Sequence, residues 1–288
     1  MQTTPVLGVI GGSGLYSLRG LEQAEEIEAT TPFGAPSAPI VIGLLAGVGV
    51  AFLARHGRGH HILPSEVNYR ANLYALKALG VRRVLSISAC GSLREDFAPG
   101  HIVVPDQIVD WTRGRPRSFF GDGMVAHVGV ADPFCPQLSP IMAASVEAAG
   151  GTVHPGGTLL TIEGPRFSTR AESNLYRTWG MDVIGMTASP EAFLAREAEL
   201  CYTVLAHVTD YDVWHLSEEP VTAEAVLRTL QANARLAEAT LTQFVHRLPL
   251  ERTCPCGTAL QKALVTSPEA IPAETRRRLA LLVDPYLG

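Results

Sequence analysis

The 288-residue chain reads as an α/β protein, a single domain built on a central mixed β-sheet flanked by helices. Three observations predict this. Short apolar runs of strand length alternate with longer segments whose apolar residues recur at helical spacing. Turns rich in the 27 glycines and 20 prolines separate them. No internal repeat occurs, and no linker is long enough to divide residues 1–250.

Val6 to Ile10 is a short buried strand, broken by Gly11-Gly12-Ser13-Gly14. Ile40 to Leu45 and Val48 to Leu53 form a strand pair joined through Ala46-Gly47. Ser65 to Leu79 has helical spacing, with Val67, Leu73, Leu76 and Leu79 apolar and Gly80 as its stop. Val81 to Ala89 follows as a strand and turns at Cys90-Gly91-Ser92. His101 to Val104 is another strand, 113–122 a Gly- and Pro-containing loop, Leu138 to Ala149 a helix and Thr158 to Ile162 a strand. Thr169 and Glu172 have capping-box spacing for a helix ending near Gly180. Ser189 is placed to cap the next helix, with Pro190 at its first position. Cys201 to Val208 is a clear strand, and Thr222 to Leu248 a long amphipathic helix. Residues 251–288 differ in character and are expected to pack as a helix on the body or on a neighbouring subunit.

The bulk properties exclude several function classes. A net charge of −5 gives a nucleic-acid partner no electrostatic support. No run is long and apolar enough to span a membrane, and the start has no secretory pattern. Five cysteines, mostly in apolar surroundings, fit reduced thiols in a cytoplasm. Cys254-Pro255-Cys256 is half a zinc site or an exposed disulfide. With no second CxC or CxxC pair, no metal is expected.

Several strand ends carry small polar turns, where ligands of open α/β sheets gather. The Gly11–Gly14 turn brings free amides and the Ser13 hydroxyl to an anion, or is a plain tight turn. It lacks the third glycine of a dinucleotide fingerprint, since position 17 is Ser17. Arg55 to His61 packs two arginines and three histidines into seven residues. This is either a solvated basic loop or a phosphate grip; His56 and His60 are four apart but lack the zincin glutamate. Ser88-Ala89-Cys90-Gly91 is a further small turn. Phe167 can stack on a flat ring, and Thr187 stands at a helix start. Thr209-Asp210-Tyr211-Asp212 is either an acidic turn or a grip on a donor beside a basic nitrogen, as in the amino edge of adenine. Together these describe a pocket for phosphate plus a nucleoside.

Long ordered blocks then make the chain recognisable: GVIGGSGLY, RHGRGHHILPSEVNYRANLYALK, SACGSLREDFAPGHIVVPDQIVD, ADPFCP, TIEGPRFSTRAES and VTDYDVW. From about Leu7 to Leu248 the chain resembles the 5′-methylthioadenosine phosphorylase branch of the trimeric purine nucleoside phosphorylase family. The resemblance implies a nucleoside phosphorylase-like fold and phosphorolysis of methylthioadenosine to adenine and 5-methylthioribose 1-phosphate. It assigns phosphate contacts to Ser13, Arg55, His56, Ser88, Ala89 and Thr187. Met186 is assigned to the ribose through its backbone N–H, and Phe167 and Ser168 to the base. Asp210 and Asp212 are the catalytic and base-recognition pair. Ala223, Val226 and Leu227 are expected to line the 5′ end, with His127 lent by a neighbouring subunit of a homotrimer. No cofactor is expected, inorganic phosphate being a co-substrate, and the location expected is the cytoplasm. Two departures stand out. Gly185 replaces the Asn of some members, and Ser13 and Ser88 replace threonines while keeping the hydroxyl. The competing readings are a broader purine nucleoside phosphorylase that also takes adenosine or methylthioinosine, and a nucleoside-binding protein without activity.

Overall fold

The alternation of apolar runs resolves, in a computed structural model, into one mixed sheet with helices on both faces. Residues 4–215 and 222–287 are described, with backbone only at 223, 225–228 and 230–234. In chain order the elements are β1 (Leu7–Gly11), β2 (Glu22–Ile27), β3 (Ile40–Leu45), β4 (Val48–Ala54) and α1 (Tyr69–Ala78). Then come β5 (Arg83–Ser92), β6 (Ile102–Val104), β7 (Gln107–Trp111), α2 (Leu138–Ala148), β8 (Val153–Pro155) and β9 (Thr158–Ile162). The chain continues through α3 (Arg170–Thr178), β10 (Val183–Gly185), α4 (Ala188–Glu197), β11 (Cys201–Asp210), α5 (Ala223–Arg247) and α6 (Ala273–Leu287).

The sheet runs β2-β3-β4-β1-β5-β10-β9-β7, with β11, β6 and β8 branching from β5. Strands β1, β4, β5 and β11 are parallel neighbours. Strand β11 is buried on both faces, as a central parallel strand should be. Tyr202, Val204, Ala206 and Val208 meet the side that carries Leu73 and Leu76 of α1 and Ala192 and Ala195 of α4. Cys201 and Leu205 meet the side that carries Met142 and Val146 of α2 and Leu241 and Phe244 of α5. This is the period-2 alternation of a strand sandwiched between two helical layers.

Strand β5 organises the functional end. Its residues Arg83 to Ile87 pair with β1 on one edge and with β11 on the other. At Gly91 the partners are Asp210 of β11 and Ile184 of β10. Strand β10 therefore takes over the edge that β1 leaves. Ser88, Ala89 and Cys90 lie in the gap between these two partners, which is a switch point of the kind that opens crevices in α/β sheets.

Four strands are not apparent in the sequence. β2 is polar and exposed because it is an edge strand, paired among the described residues only with β3. β8 and β10 have three residues each, too few to show a period. β7 is only partly covered. Helix α1 begins at Tyr69 rather than Ser65, because the Asn68 side chain accepts the Ala71 N–H at 3.1 Å and caps it. The expected cap at Ser189 is also corrected. Ser189 has an extended backbone, but its buried hydroxyl has no partner among the described residues. Its N–H is drawn instead to Thr161 Oγ1 and its carbonyl to Arg115.

Helix α6 packs its Leu279, Leu282 and Val283 into the cluster that also holds Phe119 and Met124. Among the described residues no helix is long and apolar enough to cross a membrane.

Candidate active site

A cavity of about 500 Å³ opens where the switch point lies. Ser13 enters from the turn after β1, and Arg55 and His56 from the end of β4. Ser88 to Gly91 come from β5, Met186 and Thr187 from the segment after β10, and Asp210 and Asp212 from the end of β11. Pro165, Phe167 and Ser168 form a further wall. Every phosphate and base residue expected from the sequence lines this one space.

One end of the cavity is held by backbone proximity and one buried cation. A Cβ on Gly12 would lie 2.5 Å from the Ile87 carbonyl oxygen, so only glycine lets the first turn approach β5 this closely. Ser88 Oγ and Thr187 Oγ1 are 3.5 Å apart and both face the cavity. Arg55 is 1% exposed. Its Nε and Nη2 donate to Glu191 at 2.9 and 3.0 Å, and Nη2 donates also to Ser86 Oγ at 2.6 Å. Burial works against its charge, but the Glu191 carboxylate outweighs burial and holds the guanidinium protonated. Tyr202 in turn donates to Glu191 Oε1 at 2.8 Å, fixing the carboxylate.

Burial, with the neighbouring Arg55 charge, pushes His56 down to about 4, so its imidazole is neutral. Its Nδ1 lies 2.9 Å from the Ile62 carbonyl, which can only accept, so Nδ1 carries the proton. That leaves Nε2 as an acceptor, suited to a protonated phosphate oxygen.

The other end is a carboxylate pair with unequal environments. Burial raises Asp210 to about 6, against the pull of Thr209 Oγ1 and the Asp212 N–H, which donate to it at 2.6 and 2.8 Å. Burial also raises Asp212, and the nearby Ser173 and Ser168 hydroxyls work against the rise. Asp212 Oδ2 is buried and, among the described residues, no donor meets it in hydrogen-bond geometry, although the Ser168 and Ser173 hydroxyls, themselves unpaired, lie close to the carboxylate. A buried orphan acceptor is costly unless a ligand supplies the donor. The pair fits against β5 because position 91 is glycine: a Cβ there would come within 2.9 Å of Asp210 Oδ1.

The profile of the Phosphorylase superfamily matches residues 6–246. The chain belongs to that superfamily. Among its relatives, the S-methyl-5′-thioadenosine phosphorylase of Geobacter sulfurreducens is 54% identical, over 98% of this chain and 99% of its own. That of Chloroflexus aurantiacus is 55% identical, over 97% and 98%. Among solved structures, a methylthioadenosine phosphorylase from an antarctic soil metagenomic library superposes with a TM-score of 0.93 at 49% identity, covering 98% of this chain and 100% of that one. The methylthioadenosine phosphorylase of Schistosoma mansoni, in complex with adenine, has a TM-score of 0.84 at 36% identity, covering 97% and 98%.

Of the expected residues, one lies away from this cavity and three fall outside the described side chains. His127 is exposed and donates its backbone N–H to Ala263, away from the pocket of its own chain. Ala223, Val226 and Leu227 belong to α5, but their side chains lie outside the described residues.

Sequence reasoning passed over several members of the site. Glu191 reads as an ordinary first-turn acid of α4, yet it is the counter-charge of Arg55. Arg115 sits in what reads as a loop. It is buried and donates to the Met186, Ser189 and Glu163 carbonyls and to the Glu163 side chain, binding two walls of the cavity together. A cation among glycines and prolines carries no period, so only the tertiary contacts reveal it. Tyr16 forms another part of the wall, its hydroxyl 3.1 Å from Nδ1 of His60, which the basic cluster already singles out.

Proposed function

We propose that this chain catalyses phosphorolysis of S-methyl-5′-thioadenosine, releasing adenine and 5-methylthioribose 1-phosphate, with inorganic phosphate as co-substrate and no further cofactor. The observation that carries the reading is the orphaned Asp212 Oδ2 beside a carboxyl raised to about 6, sharing one cavity with Arg55, Ser88 and Thr187. The S-methyl-5′-thioadenosine phosphorylases to which the chain is more than half identical support the choice of nucleoside.

The chemistry follows from these groups. Cleavage of the glycosidic bond passes through an oxocarbenium-like sugar, which the phosphate anion both stabilises and attacks. The Ser13, Ser88 and Thr187 hydroxyls and Ala89 orient the phosphate. His56 Nε2 takes a hydrogen bond from its protonated oxygen, and Arg55 supplies the positive end. Met186 places the ribose through its backbone N–H, and Phe167 and Ser168 hold the base. The departing purine gathers negative charge and needs a proton at N7. Asp210 supplies it, because its raised carboxyl keeps a proton to higher pH than an ordinary aspartate. Asp212 accepts from the exocyclic amine. A 6-oxopurine would instead set an oxygen against that carboxylate, so the pair selects 6-aminopurines. Ala223, Val226 and Leu227 give the methylthio group an apolar berth.

The active form in this reading is a cytoplasmic homotrimer in which His127 reaches the neighbour's 5′ end. His127 lies between exposed Val125 and Val130, a surface suited to burial against another subunit.

Adenine release from methylthioadenosine should depend on phosphate, and methylthioinosine should be a far poorer substrate. Turnover without phosphate would sink the phosphorylase reading. Preference for methylthioinosine would show that the carboxylate pair has been misassigned.

A further inference from the structure

The sequence offers Cys254-Pro255-Cys256 no second pair, and so no metal is expected there. The fold supplies the missing pair from two distant segments. Cys135 lies in the loop before α2, Cys201 is the first residue of β11, and Cys254 and Cys256 lie in the segment after α5. All four sulfurs are within 4.8 Å of one another. We propose that Cys135, Cys201, Cys254 and Cys256 form a structural zinc site that staples the C-terminal segment to the sheet.

The geometry fits a tetrathiolate. Four sulfurs at a zinc–sulfur distance of about 2.3 Å stand about 3.8 Å apart. The Cys201–Cys254 separation is 3.2 Å and none exceeds 4.8 Å, so the set brackets that tetrahedron. Each sulfur neighbours all three others, whereas two disulfides would pair them two by two. Cys135, Cys201 and Cys256 are buried and Cys254 is half-buried, which shields the site from solvent.

The surroundings suit the charge. Zn²⁺ on four thiols displaces four protons and leaves a centre of net charge −2. The Arg196 guanidinium, itself buried, stands 3.6 Å from Cys256 Sγ. The backbone amides of Gln137 and Leu138 hydrogen-bond the Cys135 sulfur. Cys135 N–H donates to the Tyr202 carbonyl at 2.8 Å, pinning the loop to β11 beside Cys201. Soft thiolates select zinc over hard cations.

The site lies at the start of β11, and Asp210 at its end. At about 3.3 Å per residue the two are about 30 Å apart. The zinc is therefore not a catalytic ion.

The test uses the full chain purified without an affinity metal, under reducing conditions. Elemental analysis should give one zinc per chain. Titration with a mercurial should release that zinc in step with thiol modification. Removing the metal with a chelator should lower Tm by several degrees, and adding zinc back should restore it. Cobalt exchanged into the site should show the visible bands of a tetrahedral tetrathiolate. The double variant Cys254→Ser/Cys256→Ser should hold no zinc and should keep near-normal kcat with methylthioadenosine at low temperature. Metal-free protein that takes up no added zinc overturns the proposal. So does an intact mass 2 or 4 Da below that of the reduced chain, which would make these residues disulfides. Iron in place of zinc overturns the choice of metal.

Discussion

In the proposed reaction Asp210 combines catalysis with an energetic penalty. Its carboxyl is raised by burial from 3.8 to about 6. A raised group holds a proton in the folded chain that the unfolded chain has released, so its contribution to stability is complete below about pH 4. It is lost as pH rises through 6. Asp210→Asn should therefore lower kcat/KM by about 10²–10⁴. It should also raise the Tm of the ligand-free enzyme at pH 8, by about 1–3 kcal/mol in stability. The fall of wild-type kcat/KM above about pH 6 should disappear in this variant. An unchanged rate would remove Asp210 from the mechanism. Arg55 is the opposite case, a buried cation that depends on its partner. Glu191→Gln leaves the guanidinium without a counter-charge and should cost about 3–5 kcal/mol. Added phosphate should recover more Tm in this variant than in the wild type, because phosphate becomes the only anion beside Arg55. Equal phosphate shifts would mean that Arg55 does not face the phosphate.

At the scale of elements, α3 links local sequence to site geometry. Thr169 accepts from the Glu172 N–H while Glu172 accepts from the Thr169 N–H, a complete reciprocal cap. This was legible from Thr169-x-x-Glu172 alone, because a capping box is a local motif. The consequence was not legible: the helix starts directly after Phe167 and Ser168 and carries Ser173 beside Asp212. Thr169→Ala should cost about 1 kcal/mol, read as a Tm drop of about 2–4 °C. It should raise KM for the nucleoside more than it lowers kcat. A stability loss with unchanged KM would separate the cap from the base wall. The strands follow the same rule. β11 declares itself through an unbroken apolar run buried on both faces. β10 has three residues and declares nothing, although it brings Met186 and Thr187 to Ser88.

At the scale of the whole molecule, the exposed position of His127 leads to a prediction about sharing. Asp210→Asn chains carry an intact His127, and His127→Ala chains carry an intact Asp210. If each 5′ end is completed by a neighbour, mixing the two inactive proteins under reversible dissociation should restore part of the activity. A mixture as inactive as its components would place His127 outside the site, and light scattering on the same samples reports the oligomeric state. The amino-acid sequence by itself determined the α/β class, the order of the main strands and helices, and the Ser13, Arg55, His56, Ser88, Phe167, Thr187, Asp210 and Asp212 side chains that meet in the pocket. Those features are written in short-range signals: apolar period, glycine turns, caps and long ordered motifs. Tertiary structure alone decided that Glu191 neutralises Arg55, that Arg115 ties two walls together, and that Cys135 and Cys201 join Cys254 and Cys256. Each of those contacts joins residues dozens of positions apart, and no local pattern along a chain encodes which distant partner a buried charge or thiol will find.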